Sequence, residues 1–272
     1  MSQPFVVAEP WCETARTVLA LAEKNGASAA EVSLGFSDGY TVNVRLGEVE
    51  TLEYHRDKAA EITVYFDKQI GSTSTTDLSP QALEAAVKAA CSIAKATGSD
   101  DCHGLADLER LATAPPDLEL FHPWDLAVPA AIELAQRCEA AGLKQDARLN
   151  NSEGAGISTY QNLHIYANSH NFMHHYYSSS HTLHCTLLAE TAAGKERDGD
   201  YTVSRVPDKL TNPEDLGKEA ARRTLARLGA RRLSTRQAPV IFAASVAGSL
   251  IGHLIAAVRG GNLYRQASFL LD

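Results

Sequence analysis

Apolar residues recur at every second position in two separate blocks of this chain. That period restricts it to antiparallel sheet architectures more firmly than any other feature. In the first block Val32, Leu34 and Phe36 share one face, Val42, Val44 and Leu46 the next, and Ile62, Val64 and Phe66 a third. In the second, Leu163, Ile165 and Ala167 alternate with His164 and Tyr166, and Leu183, Cys185 and Leu187 alternate with His184 and Thr186. Side chains alternate across a strand, so each run offers one face for burial and one polar face. Asp38-Gly39 and Asp67-Lys68 read as tight turns, which makes the first block a meander of four or five short strands.

Helical periods bracket both blocks. Trp11, Ala15, Val18, Leu19 and Ala22 predict a helix over 9–25, stopped by Asn25-Gly26. Ser79-Pro80 supplies a capping hydroxyl and a first-turn proline ahead of Leu83, Val87, Ala90, Cys91 and Ala94. A further helix runs from Pro129 to Ala141, and Asn212-Pro213-Glu214-Asp215 opens another with stripe Leu216, Ala220, Ala221, Leu225 and Leu228. The expected class is α+β, antiparallel meander sheets packed with helices. Residues 98–126, rich in Asp, Pro and Gly, read as a linker. The expected division is 1–110, 111–235 and 236–272. In the last part Pro239 to Ala243 reads as a buried strand, Ser245 to Val258 as a helix capped by Ser245, and Phe269-Leu270-Leu271 as another apolar strand. The chain stops inside that run, so the reading is of a fragment with a truncated C-terminal domain.

The formal net charge of -8 argues against nucleic acid as a main partner, because phosphate binding needs clustered cations. Five cysteines at wide spacing, three of them in helical stripes, fit buried thiols in a reducing cytoplasm and no disulfide frame. No membrane span is expected: the uncharged run from Ala238 to Val258 is broken by Pro239 and holds His253.

Three features carry candidate chemistry. His164, His170, His174, His175, His181 and His184 crowd one segment beside Cys185. Histidine clusters hold metals, but His174 and His175 are adjacent and His181 and His184 are three apart. Odd separations put strand side chains on opposite faces, so polar strand-face histidines are the favoured reading. The basic stretch Lys218, Arg222, Arg223, Arg227, Arg231, Arg232 and Arg236 is read as a solvated helix end, with contact to an acidic partner as its alternative. Asn150 to Gly156 lacks the surroundings of a phosphate loop and reads as a turn, and Gly194 to Asp200 reads as a charged loop.

An ordered set of segments resembles the PmbA/TldE branch of the TldD/PmbA family. It includes Gly47-Glu48-Val49-Glu50, Ile62-Thr63-Val64-Tyr65, Ser74 to Ala82 and Pro116 to Pro123. It continues with Ala221 to Leu225, Leu233-Ser234-Thr235, Ala238 to Ala243 and Tyr264-Arg265 with Ser268 to Asp272. The resemblance covers essentially the whole sequence, as the N-terminal three-fifths or so of such a protein. It implies α/β N-terminal portions and a β-rich C-terminal domain. TldD members resemble zinc peptidases with an H-E-x-x-x-H helix. The equivalent positions here are Gly252, His253 and Ala257. The resemblance therefore implies a chain with no catalytic residue, no metal ligand set and no cofactor of its own. Zinc would reside in a TldD-like partner of a heterodimeric peptidase acting on unfolded peptides, in peptide-antibiotic maturation and antitoxin degradation. His253, Tyr264 and Arg265 are the implied contacts to peptide or partner. A stand-alone metal-dependent peptidase and a non-enzymatic modulator stay open as alternatives.

Overall fold

The computed structural model describes residues 5–112 and 115–271; residues 1–4, two linker positions and Asp272 lie outside the described residues. Met1–Gly229 and Ala230–Asp272 form two compact units. The first unit repeats one arrangement. Helix α1 (Glu9–Lys24) leads into strands β1 (Ala29–Arg45), β2 (Glu48–Phe66) and β3 (Gln69–Thr75), and helix α2 (Pro80–Ala96) follows. Helix α3 (Val128–Leu143) leads into β4 (Asn151–Asn168), β5 (Met173–Thr191) and β6 (Gly194–Ser204), and helix α4 (Pro213–Ala226) follows. The six strands make one antiparallel sheet of order β3-β2-β1-β4-β5-β6, so each half is a meander and the halves join through β1 and β4.

Alternation assigns the faces. Even-numbered residues of β1 serve two separate cores: Ala30, Val32 and Leu34 pack with α1 and α2, while Val42 and Val44 pack with α3 and α4. The partner residues on β4, Leu163 and Ile165 at one end and Ala155 and Ile157 at the other, are likewise on one face. All four helices of this unit therefore cover the same side of the sheet, and among the described residues of this unit the opposite side carries no helix. The second helix pair crosses at glycine: a Cβ on Gly217 would run into the Cys138 carbonyl, and one on Gly142 would sit 2.7 Å from the Gly217 oxygen. Cys138 and Cys185 meet in this core, and their mutual hydrogen bond, with burial, pushes the Cys185 thiol up.

The helix caps form as expected. Ser79 Oγ accepts from the Ala82 amide at 3.4 Å, and Asn212 Oδ1 accepts from the Glu214 amide at 3.0 Å. The strands differ from expectation. Asp38-Gly39 is not a turn; β1 runs through it, pairing Gly39 with His55 and Tyr160. A Cβ on Gly39 would collide with the Thr159 carbonyl, so this glycine serves close strand contact. Residues 151–156 belong to β4, where the ladder shifts register between Ser152 and Gly154, and Gly194 to Asp200 belongs to β6. The charges of β6 are matched from α4 and its C-cap: Arg223 reaches Asp200 at 3.0 Å, and the C-cap residue Arg227 reaches Asp198 at 3.1 Å. Of the basic stretch, Arg223 and Arg227 are thus engaged by β6, whereas Lys218 and Arg222 pair with Asp215 and Glu219 along the exposed side of the helix.

In the second unit, α5 (Ala244–Val258) and α6 (Gly260–Tyr264) form, but Pro239 to Ala243 is not a strand. Phe269–Leu271 is a single 3-10 turn. Extended segments need a ladder to stabilise them, and none pairs with these among the described residues. The N-cap of α5 is Ala243 and makes no side-chain cap; Ser245 lies inside the helix. Among the described residues no helix is long and apolar enough to cross a membrane.

One buried carboxylate fixes the β1–β2 turn. Glu139 of α3 is 1% exposed, and its two oxygens accept the amides of Leu46 at 2.9 Å and Gly47 at 2.8 Å. Both residues take positive φ, 51° and 82°, which suits a two-residue hairpin turn. Gln136 adds a bond to the Gly47 carbonyl at 2.7 Å. Glu139→Gln leaves one amide facing an NH2 group and should lower unfolding free energy by about 2–4 kcal/mol in denaturant titrations. Gln136→Ala, which removes a bond at the surface, should cost less than about 1 kcal/mol.

Candidate functional site: the helix-free face of the sheet

The side of the sheet without helices is a polar grid set by register. Its middle row reads Ala59 of β2, Gly35 of β1, His164 of β4 and Tyr176 of β5. The row on one side is Glu61, Ser33, Tyr166 and His174; on the other it is Asp57, Ser37, Asn162 and Ser178. Where Gly35 and Ala59 carry almost no side chain, the surface sinks. Two depressions of about 670 and 310 Å³ share Gly35, Ala59 and His164 as lining and so form one trough. The larger reaches Asp57 and Asn162; the smaller reaches Glu61, Tyr166 and Tyr176.

The trough's aromatic wall is held in place. His164 stacks on Tyr176 with ring centroids 4.8 Å apart and planes 19° apart, and its Nε2 lies 3.5 Å from Ser178 Oγ. Burial, helped by the charge of Arg205, holds the imidazole below its ordinary pKa. Tyr166 donates to Glu31 at 2.6 Å, and Tyr65 donates to the other Glu31 oxygen at 2.8 Å. Burial and these carboxylate bonds raise both phenols.

The histidine segment is dispersed by the pleat. His181 faces the helices and is fully buried. Its Nε2 donates to the His122 carbonyl at 2.9 Å, so Nδ1 accepts from Thr159 Oγ1 at 2.8 Å. Trp124 meets its ring edge-on at 5.4 Å. His184 lies on the other face, beside Gly156, where a Cβ would come within 2.5 Å of its ring. His174 donates from Nδ1 to the His175 carbonyl at 2.9 Å, and His175 meets Tyr177. Among the described residues no three His, Cys, Asp or Glu side chains gather as a metal set.

Of the residues singled out in the second unit, Gly252 and His253 are exposed on α5 and Ala257 is 6% exposed. Tyr264 ends α6, and the Arg265 amide donates to the Gly261 carbonyl at 3.2 Å. A catalytic zinc needs three protein ligands. Glycine and alanine offer no lone pair from a side chain, so α5 supplies His253 alone and its residues do not fit the implied ion. The alternation of β1 and β2 held the signal for the trough, but neither Gly35, Ala59 nor Glu31 was singled out, because cross-strand register is not written in either strand alone.

Burial lowers the pKa of His164, His181 and His184 in the fold. The unfolded chain then takes up protons first as pH falls. Stability from these groups is complete above the ordinary value of 6.5 and declines below it, toward the folded pKa values. Thermal melts should therefore fall between about pH 7 and 5, before carboxylates titrate, and His184→Gln should flatten that fall. A melting temperature constant over that window would contradict this account.

Two family profiles match the chain: the PmbA/TldA metallopeptidase domain 1 at residues 30–94 and the PmbA/TldA metallopeptidase central domain at residues 121–228. Metalloprotease PmbA of Escherichia coli O157:H7 is 45% identical over 260 residues, 96% of this chain and 58% of that protein. The Metalloprotease PmbA homolog of Haemophilus influenzae is 45% identical over 93% of this chain and 56% of its own length. The chain thus spans somewhat over half the length of these relatives. Among solved structures, a putative modulator of DNA gyrase from Bacteroides thetaiotaomicron superposes with TM-score 0.84 at 22% identity, over 96% of this chain and 60% of that one. TldE from Thermococcus kodakarensis superposes with TM-score 0.61 at 14% identity, over 78% of this chain and 47% of its own. At those identities the likeness is one of fold.

Proposed function

Because the chain belongs to the TldD/PmbA metallopeptidase family, we propose that it is part of a TldE/PmbA-like subunit that assembles with a TldD-like subunit into a heterodimeric zinc peptidase for unfolded peptides. The observation that carries this reading is the donor set of α5. Where the zinc helix of the family implies two histidines and a glutamate, this chain has Gly252, His253 and Ala257. One imidazole cannot hold a catalytic ion or activate its water. The partner would supply zinc, and this chain would bind and present the substrate.

An extended peptide suits a sheet protein, because main-chain bonding and side-chain pockets recognise it whatever its origin. The helix-free face and its trough are the surface we assign to that task in the first unit. His253, Tyr264 and Arg265 are the assigned contacts to peptide or partner in the second. Peptide-antibiotic maturation and antitoxin degradation are the processes we assign to the assembly. A cytoplasmic setting agrees with five free cysteines, of which Cys102 alone is exposed.

The test uses the full-length protein with a TldD-like subunit. The two should co-elute, with zinc assigned by anomalous scattering to the TldD-like chain alone. Cleavage of an unfolded peptide should be at least about 100-fold faster for the pair than for either chain. Zinc bound beside His253, or equal cleavage by the TldD-like chain alone, would overturn the assignment.

A further inference from the structure

Gly35 lies in the middle of the 17-residue strand β1, yet nothing in the fold asks for glycine there. A Cβ added at Gly39, Gly71 or Gly156 would meet backbone closer than 3.0 Å, whereas one at Gly35 meets nothing within 4 Å. Glycine weakens a strand interior, and its uses there are a bulge or the close approach of another group. The ladder is regular at Gly35 on both sides, pairing with Ala59 and His164. The open space above it, part of the trough, leaves room for an external group seated on it.

The neighbours define that group. Along the middle row, Tyr176 and His164 stand as a stack of two rings. The next place in the stack, over Gly35, is empty and belongs to the trough. Strands are spaced by roughly 4.8 Å, so the place admits one planar group against the imidazole. Asp57 and Glu61 lie two residues to either side of Ala59, on the same face, roughly 7 Å along the strand in each direction. Arg56 and Lys58 also border the larger depression, but they alternate to the other face, and Arg56 is tied to Asp38 at 2.8 Å; Arg205, whose charge reaches His164, is tied through Nη1 to the Ser179 carbonyl at 3.1 Å. A planar cation satisfies both demands, stacking on a ring while bonding a carboxylate in a fork.

We propose that the slot over Gly35 and Ala59 takes an arginine side chain of an extended polypeptide, its guanidinium stacked on His164 and paired with Asp57 or Glu61. This deepens the peptide-binding reading above and rests on it. It predicts a substrate preference that the bare sheet face does not supply.

The experiment measures fluorescence anisotropy of labelled, flexible Gly/Ser nonapeptides with one central Arg, citrulline, Lys or Phe, added to the 272-residue chain. The Arg peptide should bind about tenfold tighter than the others. Gly35→Leu, which the open space tolerates, should keep the circular dichroism spectrum and melting temperature while abolishing the preference. Glu61→Gln with Asp57→Asn should reduce Arg binding to the citrulline level. Equal binding of all four peptides, tighter binding of Phe, no binding of any, or a preference that survives Gly35→Leu would each overturn the slot. None of these results bears on zinc assignment or cleavage by the heterodimer, so failure of the slot and failure of the proposed function are read separately.

Discussion

A carboxylate inside α3 holds the geometry on which the sheet face depends. Glu139 receives both amides of the Leu46-Gly47 turn, and a buried charge of this kind tolerates no vacancy among its donors. The turn therefore has one position relative to α3, and β1 and β2 leave it paired, with a single register shift at Asn43/Val44 before Gly35 meets Ala59. A slip of a single residue would exchange the apolar and polar faces of either strand. It would carry Gly35 away from Ala59 and bring Val32 and Leu34 into solvent. The same bond ties the second core to the hairpin whose other end is buried in the first. The polar face thus inherits its order from an interaction on the opposite side.

Much of this was legible in the sequence, and the failures have physical causes. Helix stripes and caps could be read because each signal is local: Ser79 and Asn212 act on amides two or three residues away. The faces of the strands could be read because alternation survives any strand length. Strand lengths could not. Asp38-Gly39 carries a strong turn dipeptide, yet its glycine answers to Thr159 and Tyr160, more than a hundred residues distant. Gly194 to Asp200 looked like a loop because its charges find their counter-ions on α4 and its C-cap. Pro239 to Ala243 has strand composition without a ladder among the described residues. Glu139 offered a faint clue, an acid within the stripe of Ala135, Cys138 and Gly142. Its partners lie some ninety positions earlier.

The histidine segment shows how a compositional signal dissolves under geometry. His181 is a core residue that donates to a carbonyl and accepts from a hydroxyl, a satisfied neutral imidazole. His164 is a wall, stacked and only half-covered. The two differ in face, bonding partners and work, although both sit among the same short run of letters. Residue type alone suggested metal; pleat parity set His181 apart from His184 in the sequence, but the expectation of a polar strand-face histidine fails for His181, which is fully buried on the core face.

The two cores share a sheet but no helix, and this has a mechanical consequence. Each helix pair seals its own end, so either end could loosen while the other keeps its packing. The long central strands β1 and β4 run through both, and β5 reaches from Leu183, Cys185 and Leu187 in the second core to Met173 and Tyr177 against the first. β1 and β4 act as a paired tie-beam: bending at one end reaches the other as twist along fourteen matched backbone positions. A ligand pressed onto the middle of that beam would stiffen both ends at once.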